Sequence, residues 1–164
     1  MCAKKGEFMN KGLLFRYIPI VSLLVVCLIL AGCSKSIRSA NCLLGNNDYP
    51  AISYSGYRTV ERTIQTCPTV NEFKEDMKIL SAMGIKLLRT YDAKEFPQSA
   101  RILAAIRELK QADSDFEMYV MLGAWIRCKG AYGANPDHSQ EDAAWNQQEI
   151  DGAIELASQY PDIV

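Results

Sequence analysis

Three short stretches of the chain concentrate residue types that can hold a sugar. They are Tyr54-Ser55-Gly56-Tyr57, Arg89-Thr90-Tyr91-Asp92 and Gly123-Ala124-Trp125. Aromatic faces stack on the apolar faces of pyranose rings, and Arg and Asp satisfy ring hydroxyls by hydrogen bonds. Gly56 and Gly123 leave room for backbone or ligand to approach closely. Tyr54, Arg89, Tyr91 and Trp125 are the candidate substrate-side residues. Plainer readings stand beside this one. Tyr54 also suits a core, and Trp125 also suits packing beneath a loop. Arg89 alternates with Leu87, so it also suits a buried ion pair with Asp92 or with a carboxylate beyond the strand end.

Other chemistries have less support. The one histidine, His138, lies in a loop-like stretch from Arg127 to Asp137 that also holds Lys129, Tyr132 and Asn135. That stretch reads either as a rim over the site or as an ordinary solvated loop. A nucleophilic cysteine needs a base in reach, and nothing places His138 beside a thiol. No cysteine spacing suits zinc, and no metal or organic cofactor is supported. A net charge of −1 argues against a nucleic-acid partner.

The elements that would position these residues follow from pattern. Ala51 to Tyr57 reads as a strand. Thr69 and Glu72 form the capping-box signature of a helix start, and Phe73, Met77, Leu80 and Met83 recur at helical spacing until Gly84 closes the run. Ile85 to Tyr91 is a second strand. Pro97 suits the first turn of the next helix, whose apolar face is Ile102, Leu103, Ile106 and Leu109. Phe116 to Ile126 is a third strand, continuously apolar enough to be buried on both faces. Ser139 can cap a third helix carrying Trp145, Ile150, Ala153, Ile154 and Ala157, which Tyr160-Pro161 ends. Strand then helix at roughly thirty-residue intervals is the βαβ unit of a parallel α/β sheet, with its helices on one side. In such sheets ligands meet the carboxyl ends of the strands, where the three stretches fall. A fourth strand is due just after Pro161.

Upstream, Lys4, Lys5, Lys11 and Arg16 precede an apolar run from Ile18 to Leu30, and Leu30-Ala31-Gly32-Cys33 closes it. Basic, then apolar, then small residues at a cut site make a secretory signal. The cysteine at the cut makes it similar to a bacterial lipoprotein signal. Met9 is an alternative start, and a retained signal-anchor is the alternative reading, although the run falls short of the roughly 20 residues that span a bilayer. Residues 1–32 are expected to be removed, and Cys33 to carry the lipid anchor. Residues 33–50 are expected to be a polar tether, with 51–164 the domain. The expected place is the bacterial cell envelope, membrane-anchored and facing periplasm or exterior. Cys42, Cys67 and Cys128 remain; a pair of them could oxidise there, and the odd count leaves one free.

Gly84-Ile85-Lys86-Leu87-Leu88-Arg89-Thr90-Tyr91-Asp92 resembles the second-strand motif of glycoside hydrolase family 17, the β-1,3-glucanases and related glucan-acting proteins. Tyr54-Ser55-Gly56 is similar to the family's first-strand signature, and Leu122-Gly123-Ala124-Trp125 to the end of its third strand. The resemblance covers roughly residues 50–164. It implies a (β/α)₈ barrel of about 250 residues, of which this chain would supply the first three βα units. It implies retaining chemistry on β-1,3-glucan, hydrolysis or transglycosylation, by two carboxylates about 5–5.5 Å apart. The family places its acid/base glutamate after an asparagine on strand four and its nucleophile on strand seven. Asn71-Glu72 starts a helix at the opposite end of the barrel, so no catalytic residue carries over. Tyr54, Arg89, Tyr91 and Trp125 carry over as substrate-side residues. The expectation is a glucan-acting lipoprotein present as its amino-terminal part. The alternatives are a surface glycan-binding lipoprotein without catalysis and an inactive remnant.

Overall fold

The computed structural model describes residues 38–164. The expected signal segment and Cys33 lie outside the described residues. A short helix α1, Ala40–Leu43, opens the described chain. Strand β1 is Ala51–Ser53, helix α2 Val70–Ala82, strand β2 Leu87–Arg89, helix α3 Gln98–Ala112 and strand β3 Tyr119–Met121. A hairpin of β4, Cys128–Lys129, and β5, Asp137–Glu141, then leads into helix α4, Ala143–Gln159.

Helix α2 is bounded as its sequence dictates. Thr69 accepts from the Glu72 N–H, and the Glu72 carboxylate accepts from the Thr69 N–H at 2.7 Å, a complete capping box. At the other end the Gly84 N–H donates to Ser81 and the Ile85 N–H to Leu80, with Gly84 at φ 83°. This is the Schellman closure, in which glycine takes the left-handed position and satisfies the last carbonyls. Ile85 is therefore used by the helix end, and β2 begins two residues later. Helix α4 corrects an expectation. Its cap is Asp142, which accepts from the Trp145 N–H, while Ser139 lies within β5.

Strands β1, β2 and β3 form a parallel sheet in that order. The register aligns Ile52, Leu88 and Val120, and alternation of side chains puts all three on one face. Leu88 and Val120 are buried there with Phe73 and Met77 of α2 and Ile102 and Ile106 of α3. By the same alternation Ile52 and the fully buried Met118 belong to the helix side, opposite the face of Leu87. The other face carries Ala51, Leu87 and Tyr119, then Ser53, Arg89 and Met121. Parallel strands with helices packed on one face are compatible with the start of a barrel.

All three strands are shorter than expected, and the third most of all. Beyond Met121 the backbone donors are taken by side chains: Gly123 by Thr90 Oγ1 at 3.2 Å, Trp125 by Glu149 at 3.2 Å and Arg127 by Asn146 at 2.9 Å. Those side chains replace a neighbouring strand. On the outer edge of β3 the Val120 N–H donates to the Ile163 carbonyl at 2.8 Å, and Ile163 is fully buried. This rung stands where a fourth strand is due.

Within the segment expected as a tether, residues 38–50 are mostly exposed, but Arg38 and Tyr49 are held to the domain through Glu117. Glu117, just before β3, accepts from the Tyr49 hydroxyl at 3.1 Å, the Tyr119 hydroxyl at 3.2 Å and Lys86 Nζ at 3.0 Å. Arg38 pairs with it at 3.5 Å. Burial would raise the Glu117 carboxyl, but the hydrogen bonds from Lys86 and Tyr49 and the Lys86 charge outweigh it and hold the group below its usual range. Leu43 of α1 is buried, and an apolar cavity of about 390 Å³ lies between α1, the Leu87 and Met121 face, and Ile154 of α4.

Candidate functional site

The carboxyl ends of β1, β2 and β3 bring three loops together, and the sequence positions singled out above are divided among them. Arg89, last residue of β2, is exposed on the face that carries Ser53 and Met121. It lines an open groove of about 510 Å³ that also touches Ser53, Leu87, Met121 and Tyr49. Its guanidinium makes no ion pair among the described residues. The buried pairing with Asp92 does not form, because the Asp92 carboxylate goes elsewhere.

Tyr91 follows at the same end, half-buried, with the Arg62 guanidinium 5.9 Å from its ring centre. Trp125 is 43% exposed, so a large part of its indole faces solvent. Its N–H donates to Glu149, and its carbonyl accepts from the Trp145 indole at 3.2 Å. Tyr54 is placed differently. Its hydroxyl donates to Asp76 of α2 at 2.6 Å and its ring packs edge-on to Phe73 at 6.3 Å. Burial and the bond to Asp76 raise its phenol far above the ordinary value. Arg58 pairs with the same Asp76 at 2.9 Å. Arg89, Tyr91 and Trp125 share the carboxyl end, while Tyr54 is committed to the contact between β1 and α2.

Asp92 is nearly buried. It accepts from the Phe96 N–H at 3.3 Å and from Gln98 Nε2 at 2.6 Å. Burial pushes its carboxyl up to about 6; the Phe96 N–H opposes this, and the charges of Glu149 and Glu95 add to it. Glu149, fully buried on α4, gathers four backbone donors. Oε2 accepts from Ala93 at 2.8 Å and Trp125 at 3.2 Å, and Oε1 from Lys94 at 3.1 Å and Glu95 at 2.8 Å. Sequence reasoning missed Glu149 altogether. One turn earlier, Asn146 holds both the N–H and the carbonyl of Arg127, at 2.9 and 3.1 Å. These buried groups brace the loops, and neither Asp92 nor Glu149 is open to a ligand.

His138 is exposed on β5, so the stretch from Arg127 to Asp137 is a hairpin and not a plain loop. Arg127 fastens it: Nε donates to Asp142 at 2.9 Å, and the guanidinium lies 3.7 Å from the Trp145 ring centre and 5.4 Å from that of Tyr132. The three described cysteines are free, with Cys67 buried and Cys42 exposed. Among the described residues no three His, Cys, Asp or Glu side chains converge as metal ligands, and no helix is long and apolar enough to cross a membrane.

The fold and the braced carboxyl end define an α/β protein whose ligand face is the one usual for parallel sheets. No family model and no curated protein match the chain. Among solved structures it is similar to the crystal structure of an endo-laminarinase from Formosa Hel1_33_131, with 49% identity and a TM-score of 0.70 over 77% of this chain and 32% of that one. The similarity relates the chain to a glycoside hydrolase in sequence as well as fold. The chain spans about a third of that structure's length.

Proposed function

We propose that this chain acts on β-1,3-glucan as part of a glycoside hydrolase of family 17. It supplies the substrate-side residues Arg89, Tyr91 and Trp125, and glutamates on barrel strands beyond the three described carry out retaining hydrolysis or transglycosylation. The observation that supports this most is the 49% identity to an endo-laminarinase across most of the chain. The geometry agrees with it: an arginine without an ion pair among the described residues and two partly exposed aromatics stand at the carboxyl end of a parallel sheet. Arginine there donates to sugar hydroxyls, and the aromatic faces take the apolar faces of the rings.

The test is a chimera. Residues 38–164 replace the matching segment of the laminarinase, and the folded product is assayed on laminarin. Retained hydrolysis, lost in the R89A version, is expected. A folded chimera without hydrolysis would overturn the reading. The chain itself should bind laminari-oligosaccharides without cleaving them. R89A should weaken binding about tenfold, since a hydrogen bond to a charged group contributes about 1.5–3 kcal/mol.

A surface glycan-binding protein without catalysis is the second reading. It is favoured by the fact that Asp92 and Glu149, the most deeply buried carboxylates at that end, are consumed by hydrogen bonds. The proposal extends to residue 33: an acylated Cys33 would anchor the protein in the cell envelope. C33S should then move the protein from the membrane to the soluble fraction.

A further inference from the structure

We propose that Glu149 is the positioning residue of this ligand face. Beside the Gly123 N–H to Thr90 Oγ1 bond, it is the latch that fixes the loop carrying Tyr91 relative to the loop carrying Trp125. The inference rests on the glucan reading for its ligand, but the latch itself stands on geometry. A carboxylate offers about four lone-pair sites. Glu149 fills four with backbone N–H groups, three from Ala93, Lys94 and Glu95 and one from Trp125. Nothing is left for a sugar hydroxyl or a proton in transit, so Glu149 does not act on substrate itself.

The Glu149 carboxylate is fully buried and makes no ion pair among the described residues. An uncompensated buried charge is costly unless hydrogen bonds saturate it. The two loops are therefore held in the one arrangement that supplies all four donors. They come from segments some thirty residues apart in sequence, and each adjoins a candidate sugar contact: Tyr91 lies two residues before Ala93, and Trp125 itself donates. Gly123 completes the arrangement. A side chain there would fall 2.5 Å from the Thr90 carbonyl oxygen and 2.9 Å from that of Tyr91, so only glycine lets the loops close to this spacing. A misplacement of about 1 Å between binding groups can cost a hundredfold in rate, which gives a latch at this point its effect on function.

The experiment uses the full chain. Amide hydrogen exchange of the unaltered protein should show Ala93, Lys94, Glu95 and Trp125 protected to a similar degree and opening together. Trp125 exchanging independently of 93–95 would overturn the latch, and this measurement needs no variant. In E149Q all four should exchange at least tenfold faster, while Tyr119 and Val120, bonded within and beside the sheet, keep their protection. Affinity for laminarihexaose should fall about tenfold in E149Q. If exchange rises at the four sites and affinity is unchanged, the latch is structural only and the positioning role fails. If the unaltered chain does not bind laminarihexaose, the glucan reading falls, and the exchange data still decide the latch.

Discussion

A carboxyl group held out of water at the end of β2 makes stability depend on pH in an unusual direction. Asp92 sits at about 6 against an ordinary 3.8. Between those values the folded chain binds more protons than the unfolded chain. The stability contributed by this residue is therefore full below about 4 and is lost as pH rises through about 6. Glu72, Glu117 and Asp137 are held below their ordinary values and slope the other way. D92N isolates the effect. Its neutral amide needs no proton, and Gln98 can turn its unpartnered, buried Oε1 toward the new N–H. Relative to the unaltered chain, D92N should gain on the order of 3 kcal/mol as pH rises from 4 through 6 and hold that difference above, measured by urea unfolding across pH. Glycines set a second contrast. G123A drives a carbon into backbone and should cost about 1–3 kcal/mol. G45A, at φ 76° with open space around it, should cost only the left-handed penalty of roughly 1–2 kcal/mol. At this scale the sequence was partly legible. Arg89 could be placed at a strand end because it follows two leucines in a short apolar run. Glu149 could not, because its four partners come from loops that only the fold brings together.

Helices were easier to read than strands, and the reason is local. Thr69 with Glu72 and the closing Gly84 bound α2 by contacts within a few residues, and the sequence displays them in full. T69A removes one side of the capping box and should lower stability by about 1 kcal/mol, read by thermal melting. N146A should cost about 1–2 kcal/mol, because it removes both partners of the part-buried Arg127 backbone groups at the hairpin's root. Strand lengths were misjudged because an apolar run does not say where its backbone donors go. From Gly123 to Arg127 they go to Thr90, Glu149 and Asn146, and the ladder stops although hydrophobicity continues. The start of α4 was misjudged for a similar reason. Ser139 and Asp142 are both good caps, and β5 claims the serine.

Taken whole, the described residues leave one face of a three-stranded sheet without a facing layer at Ala51, Ser53, Arg89 and Met121. Ala51–Ser53 is an edge, and Met121 and Ile52 are 41% and 38% exposed. An open edge beside apolar surface invites self-association. Residues 33–164 alone should scatter light increasingly with concentration and bind a hydrophobic dye. A sample that stays monodisperse as concentration rises would contradict this. The parallel order of the strands and the packing of α2 and α3 on one face were legible in strand–helix periodicity. The attachment of residues 38–50 was not, because Tyr49 and Arg38 gain their partners from Glu117, Lys86 and Tyr119, and nothing in the polar composition of that stretch announces them.

That lead-in also ties two strand starts together. Glu117 pins Arg38 and Tyr49 beside the start of β3, at the amino ends of the strands, whereas Tyr91 and Trp125 follow the carboxyl ends. Lys86, at the start of β2, and Glu117, at the start of β3, are thereby held together with the lead-in, so a change at Glu117 would loosen both strand starts at once.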